Sequence, residues 1–195
     1  MIKAVIFDLG SVVFHIDWNS TNKEMLKKYQ VSTLIRTEYN KEINREYNKS
    51  SIGKSSMKKV FQKITKKQDV NNIISYYKKL YKKHNHYDKK VINLMKKLKK
   101  KYLLICATDT NEIHYSINKS LLKLFDCRFP SHKLKLLKPN SKFFRIILKK
   151  LNLKPEETLF IDDKIININS AKKLKIKTIL YEDYSKLRQN LKSIL

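Results

Sequence analysis

PEETLFIDDKIININSAKKLKIKTI, residues 155–179, sets the fold. Thr158-Leu159-Phe160-Ile161 is a short apolar run that stops at two carboxylates, Asp162 and Asp163. A run of that length bounded by polar residues suits a strand buried on both faces, as in a parallel sheet. Residues 165–174 have helical character, and Lys177–Tyr181 is strand-like again. Strand, helix and strand within about 25 residues make a parallel unit with a right-handed crossover. The same alternation extends towards the N-terminus. Ser141–Leu151 reads as a helix, Cys127–Phe129 as a short strand, and 112–125 as a helix with Ile113, Ile117, Leu121 and Leu124 on one stripe. Tyr102–Ala107 is an apolar strand ending at Thr108-Asp109, preceded by a helix marked by Val91, Leu94, Met95 and Leu98. At the start of the chain Ile2–Phe7 runs into Asp8. The expected fold class is α/β, with a Rossmann-like parallel sheet as core.

Residues 19–87 differ. They are rich in Lys, Asn and Tyr and carry helical stripes: Met57, Val60, Phe61 and Ile64, then Ile73, Ile74, Tyr77, Leu80 and Tyr81. Ser55 or Ser56 is placed to cap the first stripe, after a turn at Gly53. No strand signal interrupts this region. The expected organisation is a core of residues 1–18 and 88–195 with a helical insertion, 19–87.

The chain has 195 residues, 42% hydrophobic and 31% charged, enough to bury a core and to exclude the disordered class. Two cysteines, Cys106 and Cys127, make no disulfide framework. No apolar run approaches the ~20 residues of a membrane-spanning helix, and Ala4–Phe7 meets Asp8 too soon for a signal-peptide core. A cytoplasmic protein with no membrane partner is expected. Net charge is +27, from 44 basic and 17 acidic residues. Such a field draws in polyanions, either nucleic acid or phosphorylated metabolites. Yet 39 of the basic residues are Lys and five are Arg, beside 16 Asn. Phosphate-reading surfaces recruit the bidentate Arg fork, so this balance also fits compositional drift towards Lys and Asn. The Lys pairs, such as Lys27-Lys28, Lys66-Lys67, Lys82-Lys83, Lys96-Lys97 and Lys149-Lys150, are spread along the whole chain.

Polar residues gather where predicted strands end: Asp8, then Thr108 and Asp109, then Asp162 and Asp163. Open parallel sheets bind ligands outside those ends, so residues about 150 positions apart can share one site. Converging carboxylates suit Mg²⁺, a hard cation that takes oxygen ligands. One carboxylate can also serve as a nucleophile. Lys138, followed by Pro139, is the candidate for neutralising phosphoryl charge, and Thr108 offers a hydroxyl.

Four segments carry a resemblance: Ile6-Phe7-Asp8-Leu9-Gly10-Ser11-Val12, Leu104–Asp109, Lys138–Phe144 and Phe160–Asp163. In order and spacing they are similar to the haloacid dehalogenase-like hydrolases, and Phe-Asp-Leu-Gly resembles the branch that includes small sugar-phosphate phosphatases. The resemblance implies a Mg²⁺-dependent phosphatase working through an aspartyl-phosphate. It makes Asp8 the nucleophile. Asp8, the Gly10 carbonyl and Asp163 become metal ligands, with Asp162 beside them. Thr108, Asp109 and Lys138 fall in the phosphate-binding positions, Thr108 and Lys138 with catalytic roles, and 19–87 falls where the family inserts a helical cap. The implied partner is a small phosphorylated metabolite, such as a sugar phosphate.

Two positions depart from the family pattern. Gly10 stands where most of its phosphatases carry a second Asp, the acid–base group, with His15 and Asp17 just downstream as substitutes or as ordinary loop and capping residues. Asp109 stands where Asn is common. These departures leave a catalytically degenerate binding protein as an alternative, and the basic balance leaves a nucleic-acid or nucleotide phosphatase as another. Metal-free dehalogenase chemistry is disfavoured by Asp163, whose charge would oppose the developing anion. His84 and His86 lack metal-site spacing. Phe143, Phe144, Ile146 and Ile147 are expected in the core, Cys106 as a buried thiol, and Tyr76, Tyr77 and Tyr81 in helix packing.

Overall fold

A computed structural model of the chain describes residues 1–65 and 69–195; the Lys66-Lys67 pair lies outside the described residues. Five parallel strands form the central sheet: β1 (Ala4–Phe7), β4 (Leu103–Thr108), β5 (Cys127–Pro130), β6 (Thr158–Asp162) and β7 (Lys177–Leu180), in the order β5-β4-β1-β6-β7. β1 lies in the middle. Phe7 pairs with Cys106 on one side and Ile161 on the other. The chain therefore leaves the three central strands at nearly one level, and Asp8, Thr108 and Asp162 emerge side by side.

Strand alternation gives the sheet two apolar faces. Val5, Phe7, Leu104, Cys106, Leu159 and Ile161 face a core shared with α6 (Lys89–Leu98) and α12 (Tyr184–Ile194). Ala4, Ile6, Ile105, Ala107 and Phe160 face α10 (Lys142–Leu151) and α11 (Ile165–Lys172). Phe143, Phe144 and Ile147 are fully buried against that second face, with Ile146 half-buried. Burial of each such side chain is worth about 1.5–3 kcal/mol.

Five helices follow the first strands: α1 (Trp18–Tyr29), α2 (Ile35–Glu38), α3 (Lys41–Ser51), α4 (Met57–Thr65) and α5 (Val70–Lys83). They enclose their own apolar cluster, including Met25, Met57, Val60, Phe61, Ile73, Tyr77, Leu80 and Tyr81. Asp17 caps α1 by accepting from the Ser20 amide at 2.9 Å, and Ser56 rather than Ser55 accepts from an α4 amide, that of Lys59.

Two expectations need correcting. A strand, β3 (Asn85–Tyr87), does interrupt the 19–87 region, pairing antiparallel with β2 (Phe14–Ile16). Both are three residues long and mix polar with apolar side chains, so neither leaves an apolar run to read. The helix expected at 112–125 is two helices, α7 (Glu112–Ile117) and α8 (Lys119–Leu122), broken at Asn118. The break has a cause: Ile113 and Ile117 pack with the helical layer, while Leu121 and Leu124 pack with the sheet. Asn118 is buried at the junction, where its carbonyl oxygen accepts from Asn85 Nδ2 at 3.1 Å and from the Tyr87 hydroxyl at 3.0 Å.

Candidate active site

Asp8, the first residue after the middle strand, is buried, and so is Asp162 at the end of β6. Lys138 reaches them from the loop between α9 (Ser131–Leu134) and α10. Its Nζ lies 2.7 Å from Asp8 Oδ1 and donates to Asp162 Oδ2 at 2.5 Å. The whole Lys138 side chain is 1% exposed. Charged groups this deep persist only when paired, and one ammonium here serves two carboxylates.

Asp162 is further held by donors: the Lys164 amide at 2.8 Å, and Asn167 Nδ2 at 3.0 and 3.1 Å to its two oxygens. Asn167 was not singled out in the sequence. The available signal was its place in the first turn of a helix after Asp162-Asp163, where a buried amide can face the strand end. Asp163 is half-exposed, and its Oδ1 is buried with no hydrogen-bond partner among the described residues.

One oxygen each of Asp8, Asp162 and Asp163 lies within 4.8 Å of the others. The three carboxylates outnumber the Lys138 ammonium by two charges. Together with the unpartnered Asp163 oxygen, that excess fits a divalent oxygen-seeking cation, and Mg²⁺ fits the donor set. The electrostatics agree. Burial, then Asp162, push the Asp8 carboxyl up to about 6 against the pull of Lys138. Burial and Asp162 also raise Asp163. Burial alone would lower Lys138, but Asp8, Asp162 and Asp109 hold its ammonium above the ordinary range.

The remaining predicted residues are also placed. Thr108 is buried at the end of β4, between the levels of β1 and β5. Asp109 follows it, and its Oδ1 accepts from the Lys138 amide at 3.1 Å. The anion that stands in place of Asn thus orients the lysine loop, and burial raises its carboxyl. Gly10 lies in the turn after Asp8, bridged to Phe14, and a Cβ built on it would meet nothing within 4 Å. His15 and Asp17 are not gathered with these groups by any hydrogen bond: His15 is exposed and paired across the ribbon with His86, and Asp17 caps a helix. His84 bonds Glu24 at 2.7 Å, while His114 is half-buried among Tyr77, Tyr81 and Trp18.

The family profile of the haloacid dehalogenase-like hydrolases matches residues 5–181. D-ribitol-5-phosphate phosphatase of Bacteroides thetaiotaomicron is 24% identical over 215 aligned positions, spanning 100% of this chain and 99% of that protein. Drimenol cyclase drtB of Aspergillus calidoustus is 34% identical over 71 residues, which are 36% of this chain and 13% of the cyclase. Among solved structures, a haloacid dehalogenase family enzyme from Bacteroides thetaiotaomicron in complex with magnesium and inorganic phosphate superposes with a TM-score of 0.79 at 22% identity, covering 96% of this chain and 99% of that one. A haloacid dehalogenase-like hydrolase from Porphyromonas gingivalis gives 0.77 at 21% identity, with 98% of each chain covered. Sheet order, strand-end carboxylates and a profile match over nearly the whole sequence agree, and the chain belongs to the haloacid dehalogenase-like hydrolases.

Proposed function

We propose that the protein is a Mg²⁺-dependent phosphatase of a small phosphorylated metabolite, of the sugar-phosphate kind. The observation that carries this reading is the buried Lys138 ammonium between Asp8 and Asp162, with a third carboxylate within reach. Asp8, Asp163 and the Gly10 carbonyl would hold the ion, with Asp162 beside it. When bound, Mg²⁺ supplies positive charge opposite the phosphoryl oxygens. The relative that acts on D-ribitol 5-phosphate, aligned end to end with this chain, supports the substrate class.

The chain's own groups then divide the work. Lys138 orients Asp8 and offsets negative charge, and the Thr108 hydroxyl bonds the phosphoryl group. An Asp8 oxygen attacks phosphorus in line, the bond from phosphorus to the ester oxygen breaks, and the alcohol leaves with a proton from solvent. Water then attacks the aspartyl-phosphate at phosphorus. Inorganic phosphate departs and the Asp8 carboxylate is restored. Phosphoryl transfer of this kind depends mainly on alignment and charge stabilisation. Helices α1–α5 form a cap (residues 19–87) that shields the site from bulk water.

The test is hydrolysis of an aryl phosphate with and without Mg²⁺. Turnover that needs the ion and disappears in Asp8→Asn is expected, and activity surviving that substitution would refute the assignment. The bare turn at Gly10 favours a second reading, anion binding without turnover. Phosphate binding by a wild-type protein inert towards the aryl ester would select it.

A further inference from the structure

The ribbon of β2 and β3 has one covered face and one bare face. Phe14 and Asn85 are buried and Ile16 is half-buried, so these side chains turn inwards. His15 and His86 are exposed, and they are direct partners across the two strands. Residues opposite one another in an antiparallel pair point to the same side, with Cβ atoms about 4.5–5.5 Å apart. The backbone of this rung is held from both ends. The ladder continues past it, from the Asp88 amide to the Val13 carbonyl at 2.9 Å and from the Asp17 amide to the His84 carbonyl at 3.0 Å.

The other three histidines are occupied. His84 bonds Glu24, His114 bonds Tyr77, and His132 packs on Tyr115. Neither His15 nor His86 has a side-chain hydrogen bond, an ion pair or a ring contact among the described residues. Two unclaimed imidazoles on one rung can meet a single ion. Metal–nitrogen bonds of ~2.0–2.1 Å require the two ring nitrogens to come about 3–3.5 Å apart, and rotation of two exposed side chains on neighbouring Cβ atoms achieves this. The ligand type selects the metal: imidazole suits Zn²⁺, Cu²⁺ and Ni²⁺, whereas Mg²⁺ takes oxygen. The net charge of +27 opposes any cation, but locally Asp17 and Asp88 stand on the bonded rungs to either side.

We propose that His15 and His86 form a two-imidazole site for a divalent transition ion of the Zn²⁺ class, with water in its remaining positions. Its location gives it a task. β2 leads into α1, and β3 returns the chain from α5 to α6, so both passages between the sheet domain and helices α1–α5 run through this ribbon. An ion across the rung clasps them together. About 70 residues separate the two histidines in sequence, so no local spacing announces the pair. The site does not depend on the phosphatase reading.

The experiment titrates ZnCl₂ into the protein by calorimetry, in excess MgCl₂ to occupy the strand-end carboxylates. Wild type, His15→Thr, His86→Thr and the double variant are compared. Thr suits a strand, and both positions are exposed, so folding is preserved. One Zn²⁺ per chain is expected in wild type. Either substitution should weaken it about tenfold or more, because the second imidazole binds as an intramolecular ligand. The double variant should then be barely weaker than the singles. Cu²⁺ should bind more tightly than Zn²⁺, with nitrogen hyperfine coupling from two imidazoles in its electron paramagnetic resonance spectrum. A wild type that binds no zinc, or an affinity unchanged in both single variants, overturns the site. Losses that add in the double variant reveal two independent histidines and overturn it too. An equal loss in His84→Gln, or binding that Asp8→Asn abolishes while the histidine variants keep it, puts the ion elsewhere and also refutes the pair.

Discussion

Asp8 carries two demands that conflict without a cation. As the proposed nucleophile and metal ligand it must be ionised, yet burial and the neighbouring Asp162 lift its carboxyl from the ordinary 3.8 to about 6. In the metal-free protein the fold therefore binds a proton that the unfolded chain releases. The contribution of Asp8 to stability is full below 3.8 and is lost as pH rises through about 6. Mg²⁺ takes only the carboxylate form, so its binding displaces that proton. Near pH 6 about half a proton should leave Asp8 per ion bound. Apparent affinity should tighten about tenfold per pH unit below 6 and level off above it. Calorimetry in buffers of different ionisation enthalpy measures the release, and proton-free binding at pH 6 would contradict the burial argument. Gly10 permits a second test at the same scale. A Cβ there meets nothing within 4 Å, and its backbone is outside the positive-φ region. Gly10→Asp should fold and place a carboxyl in the turn after Asp8. General acid–base help is typically worth 10²–10⁴-fold, so kcat on a sugar phosphate should rise at least tenfold. An aryl phosphate, whose leaving group needs no proton, should change little. A gain on both substrates, or on neither, would deny the acid–base role.

Among the elements, the junction between the end of α3 and the β5–α9 corner leaves no room for an added side chain. Gly53 has φ +65, and a Cβ there would stand 2.0 Å from the His132 carbonyl oxygen. The left-handed conformation alone disfavours Ala by about 1–2 kcal/mol, and the carbonyl must also move. Gly53→Ala should lower the melting temperature by about 3 °C or more. It should also impair turnover, because α3 can no longer close on the corner. Unchanged melting and kinetics would show that this contact does not hold the two parts together. The Gly53 turn could be read from the sequence, as could the strands that carry the site. Leu103–Thr108 and Thr158–Asp162 are buried on both faces, so each is written as an unbroken apolar run ending in a polar residue. The β2–β3 ribbon is written otherwise: Phe14-His15-Ile16 and Asn85-His86-Tyr87 gain order from pairing across about 70 residues, not from local pattern. Helix α11 mixes its faces, burying Ile168 and Ala171 beside polar residues. Ile165 and Ile166 are 55% and 59% exposed, while Asn167 and Ser170 are buried. A periodicity search passes over Asn167 on the inner face, where its amide donates to both oxygens of Asp162.

For the whole molecule the governing quantity is a formal charge of +27. Ion pairs cannot reduce it, because the 17 acidic residues are already counted against the 44 basic ones. The surplus acts in two opposite ways. It repels itself across the folded surface, which disfavours the compact state. It would also raise the local concentration of the proposed phosphorylated substrates around a site whose own carboxylates would otherwise repel them. Both effects are long-range, and both shrink as the screening length falls from about 30 Å at 0.01 M salt to about 8 Å at 0.15 M. The Lys138 cluster is buried and is screened far less. Raising NaCl over that range should therefore increase the melting temperature while lowering kcat/KM for a sugar phosphate several-fold, with kcat nearly constant. Differential scanning calorimetry and initial rates on the same samples give both readings. If the lysine surplus were compositional drift with no electrostatic consequence at the site, melting would still rise with salt but kcat/KM would hold steady. That outcome would separate the charge of the surface from the capture of the substrate.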